Sequence, residues 1–262
     1  MDVGRVVALG LGGTAPWRLA GQRLATDTQP HELVLDLTVN RGALFPCPIC
    51  GKLCKAHDFD AFTWRHLNFF EYHCYVTARV PRMLGPIHGI KRVGVPWARP
   101  GSRFTLLFEQ AALALVREMP VLAAARVIGI TNNRLWRIVE NYVGRSVEKL
   151  VISNVKTVGI DSSAFERDGN RVTVFLDLDH REKPVIFATA ESGETALTRF
   201  KSFLADHGGS KVKTIELIDD PHAGRNALPE GYVMARDRAR SHRSADAFVT
   251  IMYLLKAPLG DL

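Results

Sequence analysis

Thr157-Val158-Gly159-Ile160-Asp161 reads as a strand ending on an acid, and it opens the stretch Lys156 to Asp220 that decides the architecture. Arg171-Val172-Thr173-Val174-Phe175-Leu176-Asp177 follows a turn predicted at Asp168-Gly169-Asn170, and Pro184-Val185-Ile186-Phe187-Ala188-Thr189 is a third apolar run. Leu197, Phe200, Phe203 and Leu204 then recur at helical spacing. Lys213-Thr214-Ile215-Glu216-Leu217-Ile218-Asp219-Asp220 closes the stretch as a fourth strand ending in acids. The predicted order is strand, strand, strand, helix, strand. Glu194, near the start of the helix, suits its N-terminal dipole. Asp177 and Asp179 read as solvated hairpin acids.

Carboxylates at the ends of the first and fourth strands are what a ribonuclease-H-like nuclease or transposase core needs. Neighbouring strands bring two acids together to hold divalent metal ions for phosphoryl transfer. Asp161, Asp219 and Asp220 are the candidate catalytic residues. The plain alternative for each is a turn acid, and Asp219-Asp220 stands directly before Pro221.

The chain has 262 residues, enough for one large domain or two to three small ones. Its 47% hydrophobic content is that of a globular protein. No apolar run approaches the ~18 residues that cross a bilayer. Gly10 to Gly13 and Trp17-Arg18 interrupt the first apolar run, so a signal peptide is not expected and the cytoplasm is. The net charge of +7 is uneven: residues 1–154 carry 19 Lys+Arg against 11 Asp+Glu, and the remainder 15 against 16. A basic N-terminal half favours a polyanion, of which nucleic acid is the commonest. An ordinary basic soluble protein would show the same balance.

The four cysteines include one Cys-x-x-Cys pair, which points to metal or free thiols rather than a disulfide framework. Cys47-Pro48-Ile49-Cys50-Gly51 has the form of half a zinc site, two thiolates on a tight turn. Its partner is expected on a neighbouring hairpin. Gly85-Pro86-Ile87-His88-Gly89 has that shape and offers His88, but a glycine stands where a third thiolate would be. Cys54, His57, His66, His73 and Cys74 are the substitutes in reach. Cys74 also reads as a small buried apolar residue. A metal-free β-rich module is the alternative to zinc.

Glu32 to Val39 alternates as a half-buried strand. Ala8 to Gly13 fails the spacing of a nucleotide-binding loop and reads as a turn. Thr63-Trp64-Arg65-His66-Leu67 and Tyr72 to Val80 interleave aromatics with Arg and His, either to touch nucleic acid or to form packed and solvated strand faces. Val95 to Arg103, with two prolines and a glycine, reads as a linker whose arginines could follow a phosphate backbone.

Phe104 to Glu118 is predicted helical, and Met119-Pro120 breaks it. Val121 to Ile128 is a short helix, Gly129-Ile130-Thr131 a turn with Thr131 as N-cap, and Asn132 to Val143 a second helix. Leu135, Ile138, Val139 and Tyr142 share its apolar face. This is a helix-turn-helix pattern, against the alternative of a plain helical hairpin. Asn132, Asn133, Arg134 and Arg137 would then meet base edges or phosphates in a major groove. Arg236 to Ser244 is polar and basic, and Ala247 to Leu255 is apolar.

Taken together the chain resembles the ISL-three family of bacterial insertion-sequence transposases. The resemblance is carried, over roughly residues 10–210, by Cys47-Pro48-Ile49-Cys50-Gly51, Lys55-Ala56-His57-Asp58, Thr63-Trp64-Arg65-His66-Leu67, Arg79-Val80-Pro81-Arg82, His88-Gly89, Val95-Pro96-Trp97-Ala98-Arg99 and Val158-Gly159-Ile160-Asp161. It implies a multidomain α/β protein: a β-rich zinc-ribbon-like domain over residues 1–95, a helix-turn-helix over 96–150, and a partial ribonuclease-H-like catalytic domain of the DDE type over 151–262. It further implies structural Zn²⁺ at Cys47, Cys50 and His88, and catalytic Mg²⁺ at Asp161 with Asp219 or Asp220, Asp219 preferred. The expected partner is double-stranded DNA at element terminal repeats, with no membrane; a homo-oligomer is left open. Gly85 departs from the family's third thiolate. The family's catalytic Glu has no counterpart after Asp219 other than Glu230, which suggests a truncated transposase of doubtful strand-transfer activity, or a DNA-binding remnant without catalysis.

Overall fold

The computed structural model describes residues 15–164, 171–180 and 185–217. The chain divides into two compact units, Met1–Ala114 and Leu115–Leu262. Asp219, Asp220, Glu230, the turn at Asp168-Gly169-Asn170, the stretch Ala8 to Gly13 and the basic segment from Arg236 lie outside the described residues.

The first unit is built on six strands: β1 (Trp17–Ala25), β2 (Glu32–Val39), β3 (Leu44–Pro46), β4 (Leu53–Phe69), β5 (Tyr72–Gly85) and β6 (Gly89–Arg92). They form a sheet in the order β1-β2-β5-β4-β3, with β6 also paired to β5. Only β2 and β5 pair in parallel; the remaining pairs are antiparallel. Strand β5 shows the two-residue period of a sheet with one face in the core, since Cys74, Val76, Ala78 and Val80 are all buried. Strand β1 is absent from the reading of the sequence, because Trp17 is its only fully buried residue and its hydrophobicity does not alternate.

Three tryptophans bind this sheet together. Trp97 packs edge-on against Trp17, with ring centroids 4.8 Å apart, and against Trp64 at 5.6 Å. Leu35, Leu37, Val76, Val80 and Ala98 complete the cluster. The segment Val95 to Arg103 is therefore not a solvated linker. Trp97 and Ala98 are buried in the core, and Arg99 Nε donates to Glu109 Oε2 at 3.0 Å. Glu109 is wholly buried and also accepts from Ser102 Oγ at 2.7 Å. A buried carboxylate is tolerated only when it is paired in this way, so Arg99 is a structural cation here. Trp64 and Arg65 are likewise buried, and Arg65 Nη1 donates to the Cys74 carbonyl at 3.0 Å. That part of β4 is packed rather than offered to a ligand.

A smaller cluster, Phe45, Cys47, Met83 and Val93, fills the end of the sheet where β3, β4 and β5 meet. Beside it Arg82 Nε donates to Asp58 Oδ1 at 2.6 Å across paired positions of β4 and β5. The Arg82 guanidinium holds the Asp58 carboxyl below the usual carboxylate range. The unit also contains the first part of helix α1 (Leu106–Glu118), where Phe104 and Phe108 stack at 4.8 Å.

In the second unit, α2 (Val121–Ile128) and α3 (Asn132–Glu148) precede a four-stranded sheet. Its strands are β7 (Thr157–Ala164), β8 (Arg171–Asp177), β9 (Val185–Thr189) and β10 (Thr214–Leu217), with α4 (Gly193–Asp206) between β9 and β10. The sheet order is β10-β7-β8-β9; β10 runs parallel to β7, and the other neighbours are antiparallel. The order strand, strand, strand, helix, strand read from the sequence is the observed one. Helix α4 buries Ala196, Phe200, Phe203 and Leu204, and Phe200 stacks on Phe175 of β8 at 4.0 Å. Glu194 sits in its first turn.

Two details differ from expectation. Strand β7 does not end at Asp161 but continues through Ala164, with Asp161 opposite Val174. Asp177 is only 5% exposed rather than solvated; its carboxylate accepts from the Asp179 amide at 2.9 Å and contacts His180 Nδ1 at 2.7 Å. Asp179 in turn accepts from the Lys156 and Thr157 amides, at 2.7 and 3.0 Å, which fixes the entry to β7. The Lys156 amide holds the Asp179 carboxyl below its ordinary range. Among the described residues no helix is long and apolar enough to cross a membrane.

Candidate metal centre and nucleic-acid interface

The turn after β3 positions two thiols. Gly51 adopts φ of 72°, a conformation open to glycine, and its amide donates to the Cys47 carbonyl at 2.8 Å. The Cys47 amide donates to the Lys52 carbonyl at 2.9 Å, which closes the turn. Backbone amides of Cys50 and Ile49 face the Cys47 sulfur and draw its thiol down to about 7, against the opposing effect of burial. Such a thiol ionises more readily than an ordinary cysteine, and the thiolate is the form that binds metal.

The β5–β6 hairpin brings His88 to the same place. The ligand atoms of Cys47, Cys50 and His88 lie within 4.8 Å of one another. Cys47 Sγ and His88 Nδ1 are 3.6 Å apart. Tetrahedral zinc with Zn–S of about 2.3 Å and Zn–N of about 2.05 Å requires a sulfur–nitrogen separation of about 3.6 Å. The donor set and this spacing fit zinc.

The other thiols and imidazoles named from the sequence go elsewhere, with one exception. Cys74 is buried in the tryptophan cluster, and burial pushes its thiol up to about 11. His66 Nδ1 contacts Thr105 Oγ1 at 2.8 Å. His57 is exposed, and His73 is half-buried on β5, where its amide donates to the His31 carbonyl at 2.9 Å. The exception is Cys54, which lines the same small cleft as Cys47, Cys50, Gly85 and His88.

The helical pair carries the second set of residues. Gly129 ends α2 with φ of 73°, and the amides of Gly129 and Ile130 both reach the Ala125 carbonyl. Thr131 occupies the N-cap position of α3 in extended conformation, without a side-chain cap bond, and its carbonyl accepts from the Arg134 and Leu135 amides. Leu135, Ile138, Val139 and Tyr142 are buried, as the helical period requires. On the remaining surface Asn133, Arg134 and Arg137 are exposed. Asn132 differs: it is half-buried, and its carboxamide oxygen is buried without a hydrogen-bond partner.

A further basic feature was not legible in the sequence. Arg92 and Arg103 approach the ring of Phe62 at 4.5 and 5.4 Å, in a cleft of about 370 Å³. Arg92 also pairs with Asp60 at 3.0 Å. The three residues come from distant positions, so no local pattern announces them.

Two family models match the chain, each over one of these regions. Residues 43–84 match the zinc-finger of transposase IS204/IS1001/IS1096/IS1165, and residues 94–143 match the helix-turn-helix domain of transposase family ISL3. Both modules are thus of the kind found in transposases of the ISL3 family. It is 29% identical over 142 residues to the transposase for insertion sequence element IS1557 of Mycobacterium tuberculosis, in strains CDC 1551 / Oshkosh and ATCC 25618 / H37Rv alike. The match takes in 51% of this chain and 31% of each relative, so the aligned part is about a third of the IS1557 transposase. The ISL3 helix-turn-helix match begins at residue 94 and therefore includes Trp97 and Arg99, in keeping with a packed rather than linking segment.

Proposed function

We propose that this chain acts as an insertion-sequence transposase polypeptide that binds double-stranded DNA through α3, on a fold whose N-terminal module is held by zinc. The observation that carries this reading is the division of α3 into a buried face and a surface bearing Asn133, Arg134 and Arg137, within a region matching the ISL3 helix-turn-helix. Arginines on such a helix pair with phosphates or with guanine edges, and asparagine with adenine. The half-buried Asn132 is less able to reach a base than the exposed Asn133, Arg134 and Arg137. Element terminal repeats are the DNA expected of a transposase.

Zn²⁺ would be held by Cys47, Cys50 and His88 and would tie the turn after β3 to the β5–β6 hairpin. In small β modules metal binding supplies folding free energy directly.

We also read the second unit as part of a ribonuclease-H-like DDE domain. Three antiparallel strands, then a helix and a fourth strand parallel to the first, support that reading. Leu217, two residues before Asp219 in sequence, pairs with Ile160, one residue before Asp161. Asp161 and Asp219, or Asp220, would hold Mg²⁺, which supplies charge stabilisation at the attacking and leaving oxygens of a phosphodiester. A cleavage assay on element-end duplex with Mg²⁺ tests this. Product formed by the wild type and lost in Asp161→Asn supports catalysis; equal activity, or none in either, removes it and leaves DNA binding alone.

A further inference from the structure

Gly85 stands where the second half of the metal site would carry a thiolate, and the three ligands present leave a tetrahedral ion one short. The pairing of β4 with β5 bears on that shortage. The β4–β5 ladder ends at the pair Ala56–Met83; extended by two residues, its register would set Cys54 opposite Gly85. Directly opposed residues share a face of the sheet, with Cβ atoms about 5 Å apart. The pairing of Cys54 with buried Phe45 on β3 places it on that same inward face, and Cys54 packs against the cluster that includes Cys47. Cys54 and Gly85 both line the cleft formed with Cys47, Cys50 and His88.

We propose that Cys54 is the fourth zinc ligand, delivering from β4 the thiolate that position 85 on β5 lacks. This rests on the zinc reading of the N-terminal module. The Cys54 thiol now donates only to the Lys52 carbonyl, at 3.6 Å. That contact is long and weak, and rotation about χ1 redirects the sulfur toward the cleft. Ion binding deprotonates the thiol, forms the metal–sulfur bond and releases the proton to solvent. Position 85 can itself accept a side chain, as the test below requires. A Cβ at that position would meet only the flexible end of Met83, at 3.3 Å, and then the backbone of Gly89 and His88 at 3.7 and 3.9 Å.

The test is Co²⁺ substitution of the full-length chain, read by sulfur-to-cobalt charge-transfer absorption, which grows with the number of thiolates, together with Zn²⁺ affinity from chelator competition. The wild type is expected to give a three-thiolate tetrahedral spectrum. Cys54→Ser should remove about a third of the charge-transfer intensity and weaken Zn²⁺ by about 100-fold. Gly85→Cys added to Cys54→Ser should restore both. Gly85→Cys alone removes nothing and so guards against misfolding: with Cys54 already bound, the thiolate count should stay at three. A rise from two thiolates to three in that variant, or a two-thiolate spectrum unchanged by Cys54→Ser, overturns the assignment and leaves a three-ligand zinc site. No cobalt absorption from the wild type overturns the zinc reading and the assignment together.

Discussion

Cys47 Sγ and His88 Nδ1 lie 3.6 Å apart although 41 residues separate them in the chain. The β4–β5 hairpin and the turn into β6 bring them together, so an ion at this point ties the start of the hairpin to its end. Chelation should therefore act on folding. With EDTA the melting temperature of the full chain is expected to fall, and with it the protection of the Phe45–Met83–Val93 cluster in hydrogen exchange. Cys47→Ser should reproduce the loss and make the protein indifferent to EDTA. A chain that melts identically with and without chelator, Zn²⁺ having been supplied, would rule this out.

Arg99 and Glu109 supply a second expectation. Glu109 is fully buried while the Arg99 side chain is 18% exposed, so removing the arginine takes a counter-charge away from a carboxylate in the core. Arg99→Ala should cost about 3 kcal/mol in urea denaturation, near the lower bound for breaking a buried pair because some solvent reaches the arginine. Arg99→Ala combined with Glu109→Gln should recover part of that loss. If Arg99→Ala costs less than about 1 kcal/mol, Arg99 is a surface cation and remains free for a phosphate.

His66 sets a pH dependence. Burial first, and then the Arg65 guanidinium, lower its pKa below the ordinary 6.5. The folded site thus refuses a proton that the unfolded chain accepts. Stability owed to neutral His66 is complete above about pH 6.5 and declines as pH falls below it, since there the unfolded state binds more protons. His66→Gln, which can still bond Thr105, should flatten the fall in melting temperature between pH 7 and pH 5. An unchanged slope would mean that His66 titrates normally.

The helical pair was legible in the sequence because its determinants are local. Pro120 and Gly129 bracket α2, and the burial of Leu135, Ile138, Val139 and Tyr142 follows from their spacing alone. The strand order of the second unit was readable for the same reason, each apolar run standing between turn residues. Trp97 was not. Its neighbours are two prolines, a glycine and two arginines, the composition of a loop, and it is buried only because Trp17 and Trp64 come to it from far along the chain. That Cys54 and Gly85 line one cleft was hidden likewise, since it follows only once the strands have paired. Asp161 was correctly placed on a strand, but its end was set too early because Ser162 and Ser163 resemble a turn.

The most direct test of the DNA-binding reading is the salt dependence of duplex affinity, measured by fluorescence anisotropy on the full-length chain. Affinity should fall steeply between 50 and 200 mM salt, as expected when several phosphates are neutralised. Arg134→Ala and Arg137→Ala should each weaken binding by about 10-fold; the slope of log K against log salt drops by about 1 where the lost contact is a phosphate. The melting temperature should hold, since both side chains are on the exposed surface of α3. Binding that is absent, indifferent to salt, or unaffected by both substitutions would contradict α3 as the DNA-contacting helix.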